Sequence, residues 1–245
     1  TACRGYALED GRLWLAERVE VALSMITPRP PGAPAALLDV GCATGVITRA
    51  CATRLRATSV RGIDFVDVLD PALSAGDPPI ELRCQNLDGD EPLPYAGESV
   101  DLVTCFETLE HLHDTDRMVS EVRRVLRPGG QAIFSVPRID GLLSIAMLAA
   151  GLQPPAIECS VRRRYGAPDP DARVSGHVSN FTLRALSGLL EANDLQVGRV
   201  RQASIYGDWV HAAPRPVRQR VPLWLLSKVP VKRDVLVVEA RRVGS

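Results

Sequence analysis

The segment from Leu37 to Gly45 places an acidic side chain and two glycines directly after an apolar run. The run of residues 35–40 is short and apolar, as expected for a parallel strand buried on both faces. The residues from Val46 onward can start a helix packed against this strand. Glycine between such a strand and helix lets the backbone approach a ligand closely. The pattern therefore predicts a strand–turn–helix unit that binds a nucleotide-like cofactor.

Asp39 indicates which cofactor this unit binds. A dinucleotide-binding turn reads G-x-G-x-x-G and holds a pyrophosphate at the helix N-terminus, whereas the spacing here is different. Asp39 stands two residues before Gly41, close to where the pyrophosphate would lie, and like charges in a partly desolvated cleft repel each other. A cationic ligand suits the site better. S-adenosylmethionine is such a ligand, because an amino group and a sulfonium replace the pyrophosphate.

The segment resembles motif I of the class I S-adenosylmethionine-dependent methyltransferases. In that family the turn usually reads G-x-G-x-G, and Ala43 stands here in place of the middle glycine. The added methyl group is tolerated if the φ angle of Ala43 is negative, although it can crowd the cofactor. The resemblance implies that the cofactor is S-adenosylmethionine and that these residues contact it: Asp39, Gly41, Cys42, Ala43 and Gly45.

Asp64 is the predicted ligand of the cofactor's ribose. It ends the predicted second strand, 60–64, about 20 residues after the glycine turn, which is where such folds hydrogen-bond the ribose hydroxyls. Asp67 and Asp70 compete for this role, and Asp64 could instead be a solvated acid at a strand end.

The resemblance also places the adenine ring. Family members often carry an aspartate after the third strand to accept the adenine amino group, and Asn86 holds that position here. Its side-chain carbonyl can accept the same hydrogen bond. Leu87 is expected beside the ring, and Asp88 is the alternative acceptor.

Residues 104–137 carry the most specific part of the resemblance. The order of the fourth strand, the E-x-L-E-H-like residues 107–111, a helix ending in R-V-L-R-P-G-G and the strand 131–137 matches the family. The Pro-Gly-Gly at 128–130 fits a helix end before a strand. The match is closest to small-molecule methyltransferases of the ubiquinone-biosynthesis type, and it implies cofactor contacts from Cys105 and Glu107.

His111 and His177 are the candidate catalytic residues. If the acceptor is a hydroxyl group, methyl transfer needs a base as well as in-line alignment. Of the four histidines, which include His113 and His211, these two are the best placed by analogy with the family. Each could instead be structural, and Glu107 and Glu110 are alternative bases or ligands of the methionine end. No metal site is expected at 110–114, because adjacent residues do not converge on an ion without distant partners.

The resemblance implies an α/β fold with a Rossmann-like, mostly parallel seven-stranded sheet. Its last strand is antiparallel, helices cover both faces, and a lid insertion follows the fifth strand. With 245 residues, 46% of them hydrophobic, one domain can bury a substantial core. We divide this single domain into four parts: an N-terminal helix and linker (1–34), the cofactor-binding core (35–137), the lid (138–180) and the C-terminal part of the sheet (181–245).

Three flanking segments are expected to contact the substrate or the cofactor. Helical spacing of apolar residues predicts a helix over about 11–26, which covers the cofactor or only packs. The apolar run 142–152 is too short to span a bilayer and reads as a buried helix or as an apolar wall for a hydrophobic acceptor. Arg162–Arg164 are solvated or clamp an anionic substrate group. The proline-rich stretch 209–230 is a further candidate for contact with substrate or with a second copy in a homodimer.

Composition narrows the function. Lys plus Arg and Asp plus Glu both number 29, and no basic stripe is visible, so no nucleic-acid partner is expected. The six cysteines show no zinc spacing, and no signal peptide or integral membrane segment is visible, so a reduced, cytoplasmic protein is expected. The predicted function is O-methylation of a small molecule in a biosynthetic pathway. The alternative is a cofactor-binding homologue with no or altered transfer, and a nucleotide-dependent oxidoreductase is disfavoured.

Overall fold

The computed structural model describes residues 17–167, 174–203 and 234–244, together with the backbone of 8–9 and 12–13. At the N-terminus, strands β1 (Leu8–Glu9) and β2 (Arg12–Leu13) form an antiparallel pair, and helix α1 follows at Glu17–Met25. The predicted helix over 11–26 is therefore too long at its start, because residues 12–13 pair as a strand. The stretch 209–230 and His211 lie outside the described residues.

Among the described residues, seven strands form one sheet in the order β5-β4-β3-β6-β7-β9-β8. All neighbouring pairs are parallel except those of β9, which runs antiparallel to β7 and β8. This confirms the predicted mostly parallel sheet with an antiparallel last strand. The strands are β3 (Ala36–Val40), β4 (Ser59–Asp64), β5 (Ile80–Cys84), β6 (Val100–Phe106), β7 (Leu126–Pro137), β8 (Leu195–Ala203) and β9 (Val235–Arg242).

Helices cover both faces of this sheet. They are α2 (Val46–Leu55), α3 (Pro71–Ser74), α4 (Thr115–Val125), α5 (Leu142–Ala149) and α6 (Leu183–Ala192), with a 3₁₀ turn at Leu109–His111. Successive side chains of a strand point to opposite faces, so Leu38 packs in one hydrophobic cluster with α4 and α6, and Leu37 packs in a second with α1 and α2. This sandwich buries β3 on both sides and fixes the position of the turn that follows it.

A long excursion runs from the end of β7 to α6, where the lid was predicted. Its helix α5 buries Ser144 and Met147 but leaves Leu142, Ile145 and Leu148 about half exposed. Of the two alternatives, the buried helix is therefore wrong, since one apolar face is open. No helix in the described ranges is long and apolar enough to cross a membrane. Thr182 is the N-cap of α6, because its hydroxyl accepts a hydrogen bond from the Ala185 amide at 3.2 Å.

Candidate active site

The candidate site lies at the carboxyl ends of β3, β4 and β6. Val40 pairs with Ile63 on β4 and with Cys105 on β6, so the turns after these three strands lie side by side. From β3 the chain continues to β4 on one side, and after β5 it crosses to β6 on the other side of β3. In open α/β sheets such a reversal of strand order forms a crevice that binds a ligand. The topology therefore gathers the residues that the sequence assigned to the cofactor.

The glycine turn after β3 depends on both of its glycines. Gly41 has φ 78°, and a Cβ atom added there would come within 2.1 Å of Thr108 Oγ1. Gly45 has φ 81°, and a Cβ atom there would come within 2.4 Å of Leu69 Cδ1. Both positions have a left-handed backbone and no room for a side chain, so they require glycine.

Ala43, between these glycines, also has a left-handed backbone, with φ 44°. The condition of a negative φ angle is thus not met, and the residue adopts a conformation that disfavours a Cβ atom. Its amide donates a hydrogen bond to Asp64 Oδ2 at 2.8 Å. The carboxylate of Asp64 therefore helps to hold Ala43 in this conformation.

Asp64 binds the turn through its carboxylate, and its contact with the ribose remains a prediction. Besides the Ala43 amide, it accepts the Phe65 amide at Oδ1, at 2.7 Å. The Val66 amide also approaches Oδ1, at 3.4 Å, so of the about four acceptor positions of a carboxylate about one remains for a ribose hydroxyl. Its competitor Asp70 is committed as the N-cap of α3, where it accepts the Ala72 amide at 2.8 Å. Asp67 is exposed beyond the end of β4.

Asp39 lies beneath the turn rather than on its surface. It is 2% exposed, and its two oxygens accept hydrogen bonds from Thr48 Oγ1 at 2.5 Å and Thr104 Oγ1 at 2.7 Å. Burial raises the pKa of Asp39 to about 6, although both hydroxyls oppose this rise. The geometry does not support the predicted direct contact with the cofactor. Asp39 instead joins α2 and β6 under the turn, and its charge acts on a ligand across a medium of low dielectric.

The adenine loop separates the two candidate acceptors. Asn86 is exposed, and its Oδ1 accepts the Asp88 amide at 3.1 Å. The Asp88 carboxylate accepts the His113 amide at 2.7 Å and lies 2.5 Å from His113 Nδ1. Burial alone would raise the pKa of Asp88, but these hydrogen bonds hold it below its usual value. Asp88 is thus committed to His113, and adenine binding by Asn86, beside the buried Leu87, remains a prediction.

Phe65 was missed at the sequence level. It directly follows Asp64 and is 68% exposed, although aromatic side chains usually bury their surface. A flat apolar ring beside the ribose ligand offers a surface on which an adenine can stack. The sequence carries a signal for this role, because an aromatic residue directly follows the acid that ends β4.

Two cysteines assigned to the cofactor have buried thiols. Cys105 has no exposed surface in β6, and Cys42 is 5% exposed, with its sulfur 2.7 Å from a Cβ atom built at Gly62. Burial raises the pKa of both thiols, so both stay protonated. Contact of their side chains with the cofactor is therefore not supported, and only the backbone of Cys42 can reach a ligand from the turn.

Glu107 follows β6 with a left-handed φ of 49°, which is uncommon for a residue other than glycine. Its amide donates to the Ser135 carbonyl at 2.9 Å, and its Oε1 accepts a short hydrogen bond from Ser135 Oγ. This holds a half-buried carboxylate at the end of β6, next to the glycine turn. A role at the amino group of the cofactor's methionine end remains a prediction.

Glu110 is a buried carboxyl group, 2% exposed, and neither oxygen has a hydrogen-bond partner among the described residues. Burial raises the pKa of Glu110 well above its usual value, and the negative charge of Glu107 adds to this. Its backbone carbonyl accepts the Val178 and Ser179 amides at 2.8 and 3.0 Å. These bonds fix the returning end of the excursion against the segment that follows β6.

His111 and His177, the two predicted catalytic residues, come together here although they are far apart in the sequence. Their ring centroids lie 5.1 Å apart. His111 Nδ1 lies 3.1 Å from the Gly176 carbonyl, and His177 Nδ1 lies 3.2 Å from the Ala156 carbonyl. A carbonyl only accepts hydrogen bonds, so each neutral ring carries its proton on Nδ1 and a lone pair on Nε2. Burial lowers the pKa of His177, which favours its neutral form.

One ligand atom from each of Glu110, His111 and His177 lies within 4.8 Å of the other two. No metal was expected because residues 110–114 need a distant partner to bind an ion. The fold supplies such a partner in His177. Two imidazoles and a carboxylate form a donor set suited to a divalent transition-metal ion such as Zn²⁺. The same three side chains can therefore serve as an acid–base cluster or hold a cation.

Known proteins match the chain most clearly over its cofactor-binding half. Residues 38–134 match a family model described as a methyltransferase domain. The ubiquinone biosynthesis O-methyltransferase of Pseudomonas putida (strain W619) is 30% identical over 124 residues, which cover 50% of this chain and 48% of that protein. The chain thus spans about half the length of the curated relatives that it matches.

Solved structures share the fold over nearly the whole chain. A Haloferax volcanii protein in complex with the Trm112 methyltransferase activator matches with a TM-score of 0.66 and 13% identity, covering 93% of this chain and 89% of its own. Geranyl diphosphate C-methyltransferase from Streptomyces coelicolor A3(2), solved with Mg²⁺, geranyl diphosphate and S-adenosyl-L-homocysteine, gives 0.61 and 12%, covering 92% and 78%. The resemblance seen in the motifs is therefore confirmed: residues 38–134 match the model of a methyltransferase domain, and the solved structures share the fold.

Proposed function

We propose that this chain transfers a methyl group from S-adenosylmethionine to an oxygen atom of a small-molecule acceptor in a biosynthetic pathway, with His111 and His177 supplying the base. The observation that carries the proposal is the pairing of these two rings, 5.1 Å apart, each with its Nδ1 facing a carbonyl. Each ring thus presents an Nε2 lone pair. His111 ends the 3₁₀ turn after β6, and the segment after His177 is bonded to that turn through the Glu110 carbonyl.

The turn supports S-adenosylmethionine as the cofactor. Three acids surround it: Asp39 beneath, Asp64 at the end of β4 and Glu107 after β6. A pyrophosphate would be repelled by this set, whereas an amino group and a sulfonium are attracted. The structural neighbour with bound S-adenosyl-L-homocysteine supports the same cofactor.

The chemistry then needs little beyond orientation and one proton transfer. When bound, the cofactor supplies an electrophilic methyl group on a positively charged sulfur. An imidazole Nε2 takes the proton of the acceptor hydroxyl, so that its oxygen can accept the methyl group that the cofactor would supply, and the demethylated cofactor would be the leaving group. Alignment and a positioned base are both established sources of rate. A neutral His177, as its burial favours, is the form that can accept the proton.

The base favours a hydroxyl acceptor over carbon or nitrogen acceptors that have no proton to lose. The open apolar face of α5 suits an acceptor with hydrophobic parts, in line with the name of the Pseudomonas relative. A cytoplasmic setting belongs to the proposal. The free thiols of all cysteines in the described residues support it, because disulfides are rare in a reducing compartment. A homodimer also belongs to the proposal.

A second candidate is a homologue that binds the cofactor without transferring its methyl group. The left-handed backbone of Ala43 favours it, because the methyl side chain stands where relatives have glycine. If this residue blocks a productive pose, binding would persist and turnover would be absent. Ala43→Gly would then restore turnover.

The first test is thermal unfolding with S-adenosylmethionine, S-adenosylhomocysteine and NAD added separately. A ligand at about a hundred times its Kd stabilises the native state by about 2.7 kcal/mol, which is a shift of several degrees for a chain of this size. We expect shifts with the first two and none with NAD. A shift with NAD alone would overturn the proposal.

Turnover is tested next on a panel of phenolic acceptors. We expect His111→Gln and His177→Gln to lower kcat by about 10²-fold while cofactor affinity changes little, since a positioned base supplies about 10²–10⁴-fold. His113→Gln is the matched control, because this ring is exposed and bonded to Asp88. Full turnover in both variants would exclude the two histidines as the base.

A further inference from the structure

Glu158, in the excursion between β7 and α6, binds the segment that carries His177. Its Oε1 accepts the Ser175 amide at 2.7 Å, and its Oε2 accepts the Gly176 amide at 2.6 Å and the His177 amide at 3.2 Å. Three successive backbone N–H groups thus converge on one carboxylate. Gly176 has φ 85°, the left-handed conformation that lets neighbouring amides point the same way in an anion-binding concavity.

The carboxylate is buried and paired as well. The side chain of Glu158 is 4% exposed, and Arg164 Nη2 lies 3.2 Å from its Oε1. The same guanidinium donates to Ser175 Oγ at 2.9 Å. Burial alone would raise the pKa of Glu158, but the three amides and Arg164 hold it below its usual value. The group is therefore a fixed negative charge inside the excursion.

The bound segment orients both histidines. The Gly176 carbonyl is the partner of His111 Nδ1, and the Ala156 carbonyl, two residues before Glu158, is the partner of His177 Nδ1. The carboxylate thus fixes the peptide that aims one acceptor and ties down the loop that supplies the other. If either carbonyl turned away, the ring facing it could carry its proton on Nε2 and lose the lone pair that the reaction uses.

We propose that Glu158 is a positioning residue that sets the tautomer and orientation of His111 and His177 by fixing residues 175–177. It does not reach the reacting atoms itself and acts through the two carbonyls. The catalytic role of Glu158 rests on the proposed function. Its effect on the tautomers of the two rings does not depend on whether the chain transfers a methyl group.

The test is Glu158→Gln, read first by NMR. Glutamine keeps the size, but it replaces one acceptor oxygen with an amide that faces backbone N–H groups, so the three-amide cradle cannot form. Long-range ¹H–¹⁵N correlation spectra show which nitrogen of each ring carries the proton. We expect the Nδ1–H form for both rings in the unaltered protein and a mixture of tautomers in Glu158→Gln. Unchanged tautomers in a folded variant would overturn the proposal.

Kinetics separate positioning from simple structural support. In Glu158→Gln we expect kcat to fall by at least about tenfold, a part of the 10²–10⁴-fold that a base supplies, with the KM for S-adenosylmethionine within about twofold. Glu158→Asp keeps the charge and should recover part of kcat. Glu191→Gln, an exposed carboxyl on α6, is the control for loss of one negative charge and should match the unaltered protein. An equal loss in Glu158→Gln and its control would contradict the inference.

The experiment still decides the proposal if Glu158→Gln does not fold or if no acceptor is found. If Glu158→Gln does not fold, Arg164→Gln weakens the hold on the carboxylate without touching the cradle, and the same shift in tautomers is expected at smaller amplitude. If no acceptor is ever turned over, the proposed function fails while the NMR result still decides whether Glu158 sets the tautomers. Intact tautomers in both variants would refute the positioning role in either case.

Discussion

At the scale of single residues, Ala43 shows how a side-chain contact can hold an unfavourable backbone. Its φ of 44° is supported by the hydrogen bond from its amide to Asp64 Oδ2. A left-handed conformation costs a non-glycine residue about 1–2 kcal/mol. A glycine here removes this cost, but it also gains entropy in the unfolded chain. The balance still favours the native state, since the strain exceeds the entropy term.

We therefore predict that Ala43→Gly stabilises the protein by about 0.5–1 kcal/mol and tightens S-adenosylmethionine binding by removing a methyl group from the turn. Chemical denaturation and a binding titration measure the two effects. Ala185→Gly, at an exposed position of α6, is the matched control and should destabilise by up to about 1 kcal/mol. Destabilisation in both variants would show that the turn is not strained.

Gly41 and Thr108 form a close-packed pair that can be tested as a cycle. A Cβ atom at Gly41 would lie 2.1 Å from Thr108 Oγ1, and φ is 78°. We expect Gly41→Ala to cost about 2–4 kcal/mol from strain and overpacking together. In a Thr108→Ala background the steric part disappears, so the cost should fall by about 1 kcal/mol or more. Additive costs in urea unfolding would mean that the turn moves away from Thr108.

At the scale of elements, the end of helix α4 shows what a local sequence motif predicts and what strand pairing decides instead. The Pro-Gly-Gly motif predicts a helix end near 128, but α4 ends at Val125 and Leu126 already pairs with Val100. The residue before a proline avoids helical backbone, so the chain turns into β7 early. The register between β6 and β7 then shifts before Leu102 pairs with Gln131. The motif thus predicts the change of structure but not the bulge.

The cluster of Glu110, His111 and His177 joins two elements, the 3₁₀ turn after β6 and the return of the excursion. Because a base and a zinc ligand use the same Nε2 lone pair, we expect Zn²⁺ to inhibit turnover and to raise the unfolding temperature, and a chelator to restore activity. Mg²⁺ prefers oxygen ligands and should do neither. His177→Gln should abolish the zinc effect. Activity that is lost on chelation would instead show that the cluster holds a required metal.

At the scale of the whole molecule, the parts of the site differ in how far the sequence could predict them. The glycine turn, Asp64 and Asn86 follow strand ends in a fixed order, so local pattern was enough to place them. The partners of Asp39, Thr48 and Thr104, come from two other elements, and nothing local shows that its carboxylate points inward. The cradle of Glu158 needs the excursion to fold back on itself, which leaves no periodic signal in the sequence.

The pH dependence of stability is the property in which these buried groups act together. The pKa of Asp39 is raised from 3.8 to about 6 by burial, so the folded state binds a proton that the unfolded state has released. Stability from this group is therefore present at low pH and falls as the pH rises from about 4 to 6, by an amount of about 3 kcal/mol for two pKa units. Asp39→Asn removes that slope.

His177 supplies the opposite sign and serves as the internal comparison. Burial lowers its pKa below 6.5, so as the pH falls through this value the unfolded state takes up a proton first and stability is lost. Urea unfolding from pH 4 to 7 should therefore show Asp39→Asn gaining on the unaltered protein as the pH rises, and His177→Gln gaining as it falls. If Asp39→Asn shows no pH-dependent difference, the carboxylate must be hydrated in solution, and the closed packing of Thr48 and Thr104 around it would be wrong.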